Sequence, residues 1–471
     1  MYNHSKQYRC TIIRGKTQKE IDNFLPVYAQ VLDQICPCLE DDFEKLFNEH
    51  FSSFLSERDR VKKTFDNHRT EIAGKLFGMY FRNDDGNVYV SERTRKFLED
   101  NDQPAFFKDI CYKAQFPNGS QKIATTVKTR VKDNISIRPY AFLLKCLQYA
   151  KNAGIILTQD EIGYYVLNSL DVLQGNANPL EVIEQIQIAR KEGMVRKVHT
   201  EGKASSYDTQ HIREQLNYLE LANLIFSNRE GEIWLNSNEN EVIELFACDW
   251  DKAPEFDVYA FDLDTLEGRK KLQLEWDKYY SKLSVHTDMF ETTLQSLNVI
   301  SKNEKEECPA SSKGNRMELG DIGENYVYEY EKNRVKEFNP RLIGRVLSLG
   351  KTKGLGYDIQ SVVAEKGDMA EFVKYIEVKS TKRVTAPDIE DGSWRDTINI
   401  TRNEWIAAKQ FKELYSIYRV YMVRGGVVMY IIQNPYGKKE NGTIEVVPLT
   451  YRLDFQNNAI DRVVSEVRAN V

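Results

Sequence analysis

Four residues in the last third of the chain have types and spacing suited to hydrolysing a phosphodiester: Glu324, Asp358, Glu377 and Lys379. Asp358 stands where the glycine turn Gly354-Leu-Gly-Tyr enters an apolar segment. Glu377 and Lys379 lie in Phe372-Val-Lys-Tyr-Ile-Glu-Val-Lys-Ser-Thr381. Residues two apart in a strand share a face, so these two project together while Ile376 and Val378 point into the core. Two acids and a lysine from adjacent strands can converge on one edge of a sheet. Hard oxygen ligands of this kind hold Mg²⁺, with Mn²⁺ as a substitute, and the ion neutralises phosphate charge and activates a water. Asp358 and Glu377 are the expected metal ligands, with the Val378 carbonyl as a third. Lys379 is expected to position the water or stabilise the transition state. A Glu-x-Lys triplet alone is also what a surface ion-pair ladder looks like, so its weight comes from its surroundings.

Those surroundings are a helix, a glycine turn and a second helix. Met317–Tyr330 reads as a helix with Leu319, Ile322, Tyr326 and Tyr330 on its apolar stripe. Gly320 and Gly323 weaken a helix by up to ~1 kcal/mol each relative to alanine, so a close approach to a sheet is expected there. Glu324 sits beside that approach surface. Further on, Thr401-Arg-Asn-Glu404 is a capping box before a helix whose Trp405, Ala408, Phe411 and Leu414 can pack. Capping alone accounts for Glu404. Tyr415, Tyr418 and Tyr421 read as core and strand residues rather than a base-stacking ladder.

The order Gly320-Asp-Ile-Gly-Glu324, Gly356-Tyr-Asp-Ile359, Ile376-Glu-Val-Lys-Ser380 and Ile400-Thr-Arg-Asn-Glu-Trp405 resembles the successive motifs of a PD-(D/E)XK nuclease domain found at the C-terminus of prokaryotic defence proteins. The likeness spans about residues 317–435. It implies an αβββαβ core with Asp358, Glu377 and Lys379 as the catalytic set and Glu324 as an accessory acid. Tyr357 stands where that family's name has proline.

The rest of the chain reads as what delivers such a domain. At 471 residues, with 41% hydrophobic and 29% charged residues, several cores are expected. The expected organisation is α+β and multidomain. A helical segment (1–57) is followed by a basic winged-helix-like module (58–137), a second such module (138–254), a helical connector and polar linker (255–316), and the nuclease core (317–471). The hairpins expected at Phe77–Val90, turning at Asn83-Asp-Asp-Gly86, and at Ile225–Leu235 would be the wings. The cadence of these modules resembles type II and IIS restriction endonucleases that place winged-helix modules ahead of a nuclease.

The net charge of −6 conceals a basic stretch. Arg58–Lys145 holds 18 Lys and Arg against 11 Asp and Glu, a local +7 that leaves −13 for the remainder. Within it Lys122, Lys128, Arg130, Lys132 and Arg138 are the expected phosphate contacts, setting affinity and its salt dependence rather than sequence choice.

The seven scattered cysteines imply no disulfide framework, and no apolar run is long enough to span a bilayer. A cytoplasmic location without a membrane partner is expected. No G-x-x-x-x-G-K-[ST] loop is present, so no P-loop motor is expected in the chain. Together these readings point to a restriction-type DNA endonuclease acting on double-stranded DNA. It would act as a homodimer when cutting both strands, with a cognate methyltransferase as a further partner. The alternatives are a non-catalytic or partner-gated DNA-binding protein, or a nuclease that depends on base modification.

Overall fold

The structure, a computed structural model, describes residues 17–194, 206–297, 319–350, 352, 354–364, 372–392, 394–447 and 451–465. The polar linker read at 301–315 lies outside them. The chain divides into two compact units, with the changeover at residues 297–303.

The first unit is mostly helical. Its long helices include Gln18–Ile35, Gln103–Lys113, Pro139–Asn152, Ser206–Leu221 and Leu266–Ser281. Thr17 and Glu20 form a capping box at the start of the first. Two small antiparallel sheets interrupt the helices. In one, β1 (Cys38–Leu39), β2 (Tyr80–Arg82) and β3 (Asn87–Val90) run in the order β1-β3-β2. In the other, β4 (Leu157–Thr158), β5 (Ile225–Ser227) and β6 (Glu232–Leu235) run β4-β6-β5. The β2–β3 hairpin turns at Asn83–Gly86. Gly86 has φ +76°, which only glycine adopts at little cost, and its N–H bonds to the Asn83 carbonyl at 3.1 Å.

One continuous core, with Leu25, Tyr28, Phe51, Phe77, Phe107, Leu143 and Leu224 fully buried, runs through this unit. A smaller core joins Ile123 and Val127 to Val258, Leu272 and Trp276. The helix read as part of a connector therefore belongs to the first unit and closes a core of its own.

The second unit is built on a six-stranded sheet and a three-stranded one. Its strands are β7 (Leu347–Ser348), β8 (Ile359–Val362), β9 (Val373–Lys382), β10 (Asp396–Ile400), β11 (Tyr415–Val423), β12 (Gly426–Gln433), β13 (Ile444–Val447), β14 (Tyr451–Phe455) and β15 (Arg462–Ser465). The large sheet has the order β15-β12-β11-β9-β8-β7 and the small one β10-β14-β13. Only β9 and β11 pair in parallel; the other neighbours in the large sheet are antiparallel.

All nine residues of β11 are buried, as expected of a central strand covered on both faces. On one face Tyr418, Val420 and Met422 pack with Val327 and Val335 of the helix Leu319–Phe338. On the other, Tyr415, Ile417, Tyr421 and Val423 pack with Trp405 and Ala408 of the helix Arg402–Phe411, and with Ile398, Leu453 and Phe455 of the small sheet. The three tyrosines are core residues, as the sequence suggested.

The Leu319–Phe338 helix departs from its expected stripe in an informative way. Its buried line is Gly323, Val327, Glu331 and Val335, while Leu319, Ile322, Tyr326 and Tyr330 are partly buried at its flanks. A Cβ at Gly323 would collide with Ser380 of β9, so this glycine is where helix and sheet close together. Gly320 faces open space and makes no such approach. Glu331 occupies the buried line because three donors meet its carboxylate: Arg334 (2.6 Å), the Ser361 hydroxyl (2.6 Å) and the Tyr418 hydroxyl (2.6 Å).

Candidate active site

The site forms where the chain enters β8 beside β9. Ile359 pairs with Ile376, and the Asp358 N–H donates to the Ile376 carbonyl at 2.9 Å. The Asp358 carbonyl in turn accepts from Leu349 N–H at 2.6 Å, so its backbone is held from both sides. Its side chain then reaches along β9: Oδ2 accepts the Val378 N–H at 2.8 Å. In an extended strand the N–H and C=O of one residue face the same neighbour. The Val378 carbonyl therefore faces the side where the Asp358 carboxylate lies.

The turn ahead of Asp358 is fixed by packing. Gly356 has φ +77°, and a Cβ there would lie 2.5 Å from the Asn403 carbonyl oxygen and 3.0 Å from Ala407. The Tyr415 hydroxyl donates to the Gly356 carbonyl at 2.9 Å. The glycine lets the turn seat directly on the start of the Arg402–Phe411 helix.

Glu377 and Lys379 share the face of β9 that this helix covers, because Glu377 is level with Ile417 of β11 and Lys379 with Arg419. Both strand faces are covered here, so Glu377 is itself buried, at 3% exposure. Lys379 Nζ lies 2.7 Å from Glu377 Oε1 and 2.9 Å from Glu404 Oε2. The structure thus brings Asp358, Glu377 and Lys379 together and adds Glu404.

Glu404 does form the expected capping box, its carboxylate accepting the Thr401 N–H at 2.9 Å. The local pattern explains that bond and gives no hint of the second partner, which lies 25 residues earlier on another element. Glu324 stands one step removed: its carboxylate lies against Gly350, whose neighbour Leu349 bonds to Asp358.

The electrostatics follow from crowding three acids around one cation. Burial pushes the Glu377 carboxyl well above the usual range; Lys379 opposes this, while Asp358 and Glu404 add to it. Burial also raises Asp358, against the Val378 N–H and Lys379. Burial works against the Lys379 ammonium, but Glu377 and Glu404 outweigh it and hold its pKa above the ordinary lysine value. A divalent cation would supply the positive charge such a carboxylate pair lacks. Among the described residues no three His, Cys, Asp or Glu side chains cluster as a metal-binding group. The oxygens this edge offers are the Asp358 and Glu377 carboxylates and the Val378 carbonyl.

In the first unit the five basic positions separate. Lys122, Lys128 and Lys132 are exposed, although Lys128 pairs with Asp264. Arg130 and Arg138 are buried, at 1% and 4% exposure, and so are interior residues, not the surface phosphate contacts expected from the sequence. Arg130 lies between Lys128 and Lys132 on one short helix, so it faces the opposite way. Its guanidinium stands 5.1 Å from the Phe116 ring centroid. Arg138 pairs with Asp249 at 2.8 Å and donates to the Tyr112 carbonyl at 3.0 Å. Two further basic residues of this stretch are paired in the interior the same way, in Arg93–Asp109 (2.6 Å) and Lys108–Glu239 (2.8 Å). Lys62 and Lys63, which the sequence reading passed over, are exposed on this unit. The unit also holds a small cavity of about 60 Å³ lined in part by Phe116, Tyr140, Tyr218, Trp276 and Tyr280.

Comparison with known proteins covers both units. The family described as "Restriction endonuclease BpuJI - N terminal" matches residues 2–277, more than half of the chain. The family described as "Protein NO VEIN, C-terminal" matches residues 323–432, a span that includes Asp358, Glu377, Lys379 and Glu404. No curated protein matches. Among solved structures the chain is similar to the protein in "Crystal structure of pyrene- and phenanthrene-modified DNA in complex with the BpuJ1 endonuclease binding domain". The match has 49% identity and a TM-score of 0.57, covering 60% of this chain and 100% of that one. No helix among the described residues is long and apolar enough to cross a membrane.

Proposed function

The chain belongs to the restriction endonuclease BpuJI N-terminal family, and from that premise we propose that it is a Mg²⁺-dependent DNA endonuclease whose first unit binds duplex DNA and whose second unit cuts it. The observation that carries the cutting half is the meeting of Asp358, Glu377 and Lys379 where β8 begins beside β9. The element order supports a PD-(D/E)XK core: a helix, the antiparallel run β7-β8-β9, then, after β10 of the small sheet, a second helix and β11 parallel to β9.

Asp358, Glu377 and the Val378 carbonyl would hold the Mg²⁺, with Mn²⁺ able to replace it. Bound there, the ion would neutralise phosphate charge and make a water acidic enough to attack. Lys379 is held so that its ammonium can donate to an oxygen at the same edge, orienting the nucleophile or the phosphate. Glu324 is an accessory acid that acts through the Gly350 turn.

DNA binding in the first unit is supported by the relative named above, a DNA complex of an endonuclease binding domain. Its two three-stranded sheets, each containing a hairpin, fit the winged-helix reading. Lys122, Lys128 and Lys132 are the phosphate contacts this placement supports. One catalytic edge per chain implies a homodimer for a double-strand break, and a cognate methyltransferase would protect the host's sites. The alternative reading is a nuclease whose cutting depends on base modification. Incubating modified and unmodified phage and plasmid DNA with Mg²⁺ tests both. Cutting of unmodified DNA supports the first, cutting of modified DNA alone the second, and binding without cutting in either arm refutes the nuclease assignment.

A further inference from the structure

We infer that Glu404 is a positioning residue: it fixes the Lys379 ammonium at the catalytic edge as a second carboxylate partner beside Glu377. This rests on the nuclease reading above. A lysine ammonium has three N–H donors and no preferred direction of its own, so its aim is set by its acceptors. Two are present among the described residues, Glu377 Oε1 at 2.7 Å and Glu404 Oε2 at 2.9 Å. That leaves one donor for a ligand oxygen.

The two acids are not equivalent. Glu377 is assigned to the metal, and lone pairs given to a cation are withdrawn from the lysine. Glu404 has no such assignment, so it remains to hold Lys379 once the metal is bound. Its own direction is already fixed, because its carboxylate turns back to the Thr401 N–H at 2.9 Å. The helix end that carries it also seats the Gly356 turn before Asp358, through the Asn403 carbonyl and Ala407. One rigid element therefore sets the position of the lysine and of one of the two carboxylates.

Two substitutions separate the capping role from the positioning role. Glutamine serves in a capping box as glutamate does, so Glu404→Gln keeps the helix start and removes the charge. Thr401→Ala removes the cap and leaves the Glu404–Lys379 pair. Single-turnover cleavage by Glu404→Gln should fall about 10- to 100-fold, the scale of a misplaced catalytic group. Its DNA Kd, half-saturating Mg²⁺ concentration and melting temperature should stay close to wild type. Thr401→Ala should melt earlier and cut at nearly the wild-type rate. Wild-type cutting by Glu404→Gln, or loss of rate in both variants in step with melting temperature, overturns the assignment and leaves the nuclease reading standing. A wild-type protein that binds DNA and does not cut it overturns both.

Discussion

The burial of Arg138 leads to a prediction opposite to the one its charge suggests. Arg138→Ala should destabilise the first unit without weakening its grip on DNA beyond the loss of folded protein. The substitution removes an ion pair to Asp249 at 2.8 Å, a hydrogen bond to the Tyr112 carbonyl at 3.0 Å and a guanidinium 4.5 Å from the Tyr112 ring centroid. Breaking a buried pair by deleting one partner costs roughly 3–5 kcal/mol, because the other charge is stranded. Asp249 keeps the Tyr112 hydroxyl at 2.8 Å and Lys252 at 2.7 Å, so the expected loss is lower, about 2–3 kcal/mol. For a unit of this size that is a fall in melting temperature of roughly 5–10 °C. Lys122→Ala and Lys132→Ala remove exposed charges and should leave melting unchanged within about a degree. Each should lower the slope of log K for duplex DNA against log salt by about one. Thermal melts and fluorescence anisotropy across a salt series measure both quantities. An Arg138→Ala protein with wild-type melting and a reduced salt slope would refute the reasoning and return this arginine to the DNA surface.

Two further outcomes follow from particular positions. Gly356→Ala should lower cleavage and cost about 1–3 kcal/mol, since a Cβ would press on the Asn403 carbonyl at a positive φ; an unchanged melting curve would show that the turn has room. Asp277 has its pKa pushed up to about 6 by burial, against the bond from Gln273 and the charges of Arg82 and Lys75. A carboxyl raised in the folded state favours folding while protonated, and that contribution is lost as pH rises from about 4 to about 6. Asp277→Asn should therefore stabilise the protein by roughly 1–3 kcal/mol at pH 8 and have little effect at pH 4. Equal effects at the two pH values would contradict it.

What was readable in the sequence was whatever is fixed locally. The capping box at Thr401 depends on residues three apart, and it forms. The hairpin at Asn83–Gly86 depends on a turn glycine, and it forms too. The alternation in β9 was enough to put Glu377 and Lys379 on one face, and the glycine turn to put Asp358 beside them.

The misses involve partners remote in the chain. Asp249, 111 residues from Arg138, turns a basic residue into an interior one, and no window around Arg138 shows it. Arg130 is different, since its burial follows from its position opposite Lys128 and Lys132 on one short helix, which is a local feature. Glu331 interrupts an apolar stripe, made tolerable by Ser361, Tyr418 and Arg334, which are remote or lie off that stripe. Glu404 had a sufficient local explanation, which hid its bond to Lys379.

The central claim is that Asp358, Glu377 and Lys379 form a metal-dependent cutting site. It is tested most directly by cleavage of plasmid and phage DNA, modified and unmodified, with Mg²⁺, comparing wild type with Glu377→Ala and Lys379→Ala. Discrete fragments from the wild type alone, lost on chelation, with both variants still folded and bound to DNA, are the predicted result. Equal cutting by all three proteins, or a wild type that binds every substrate and cuts none, would contradict it.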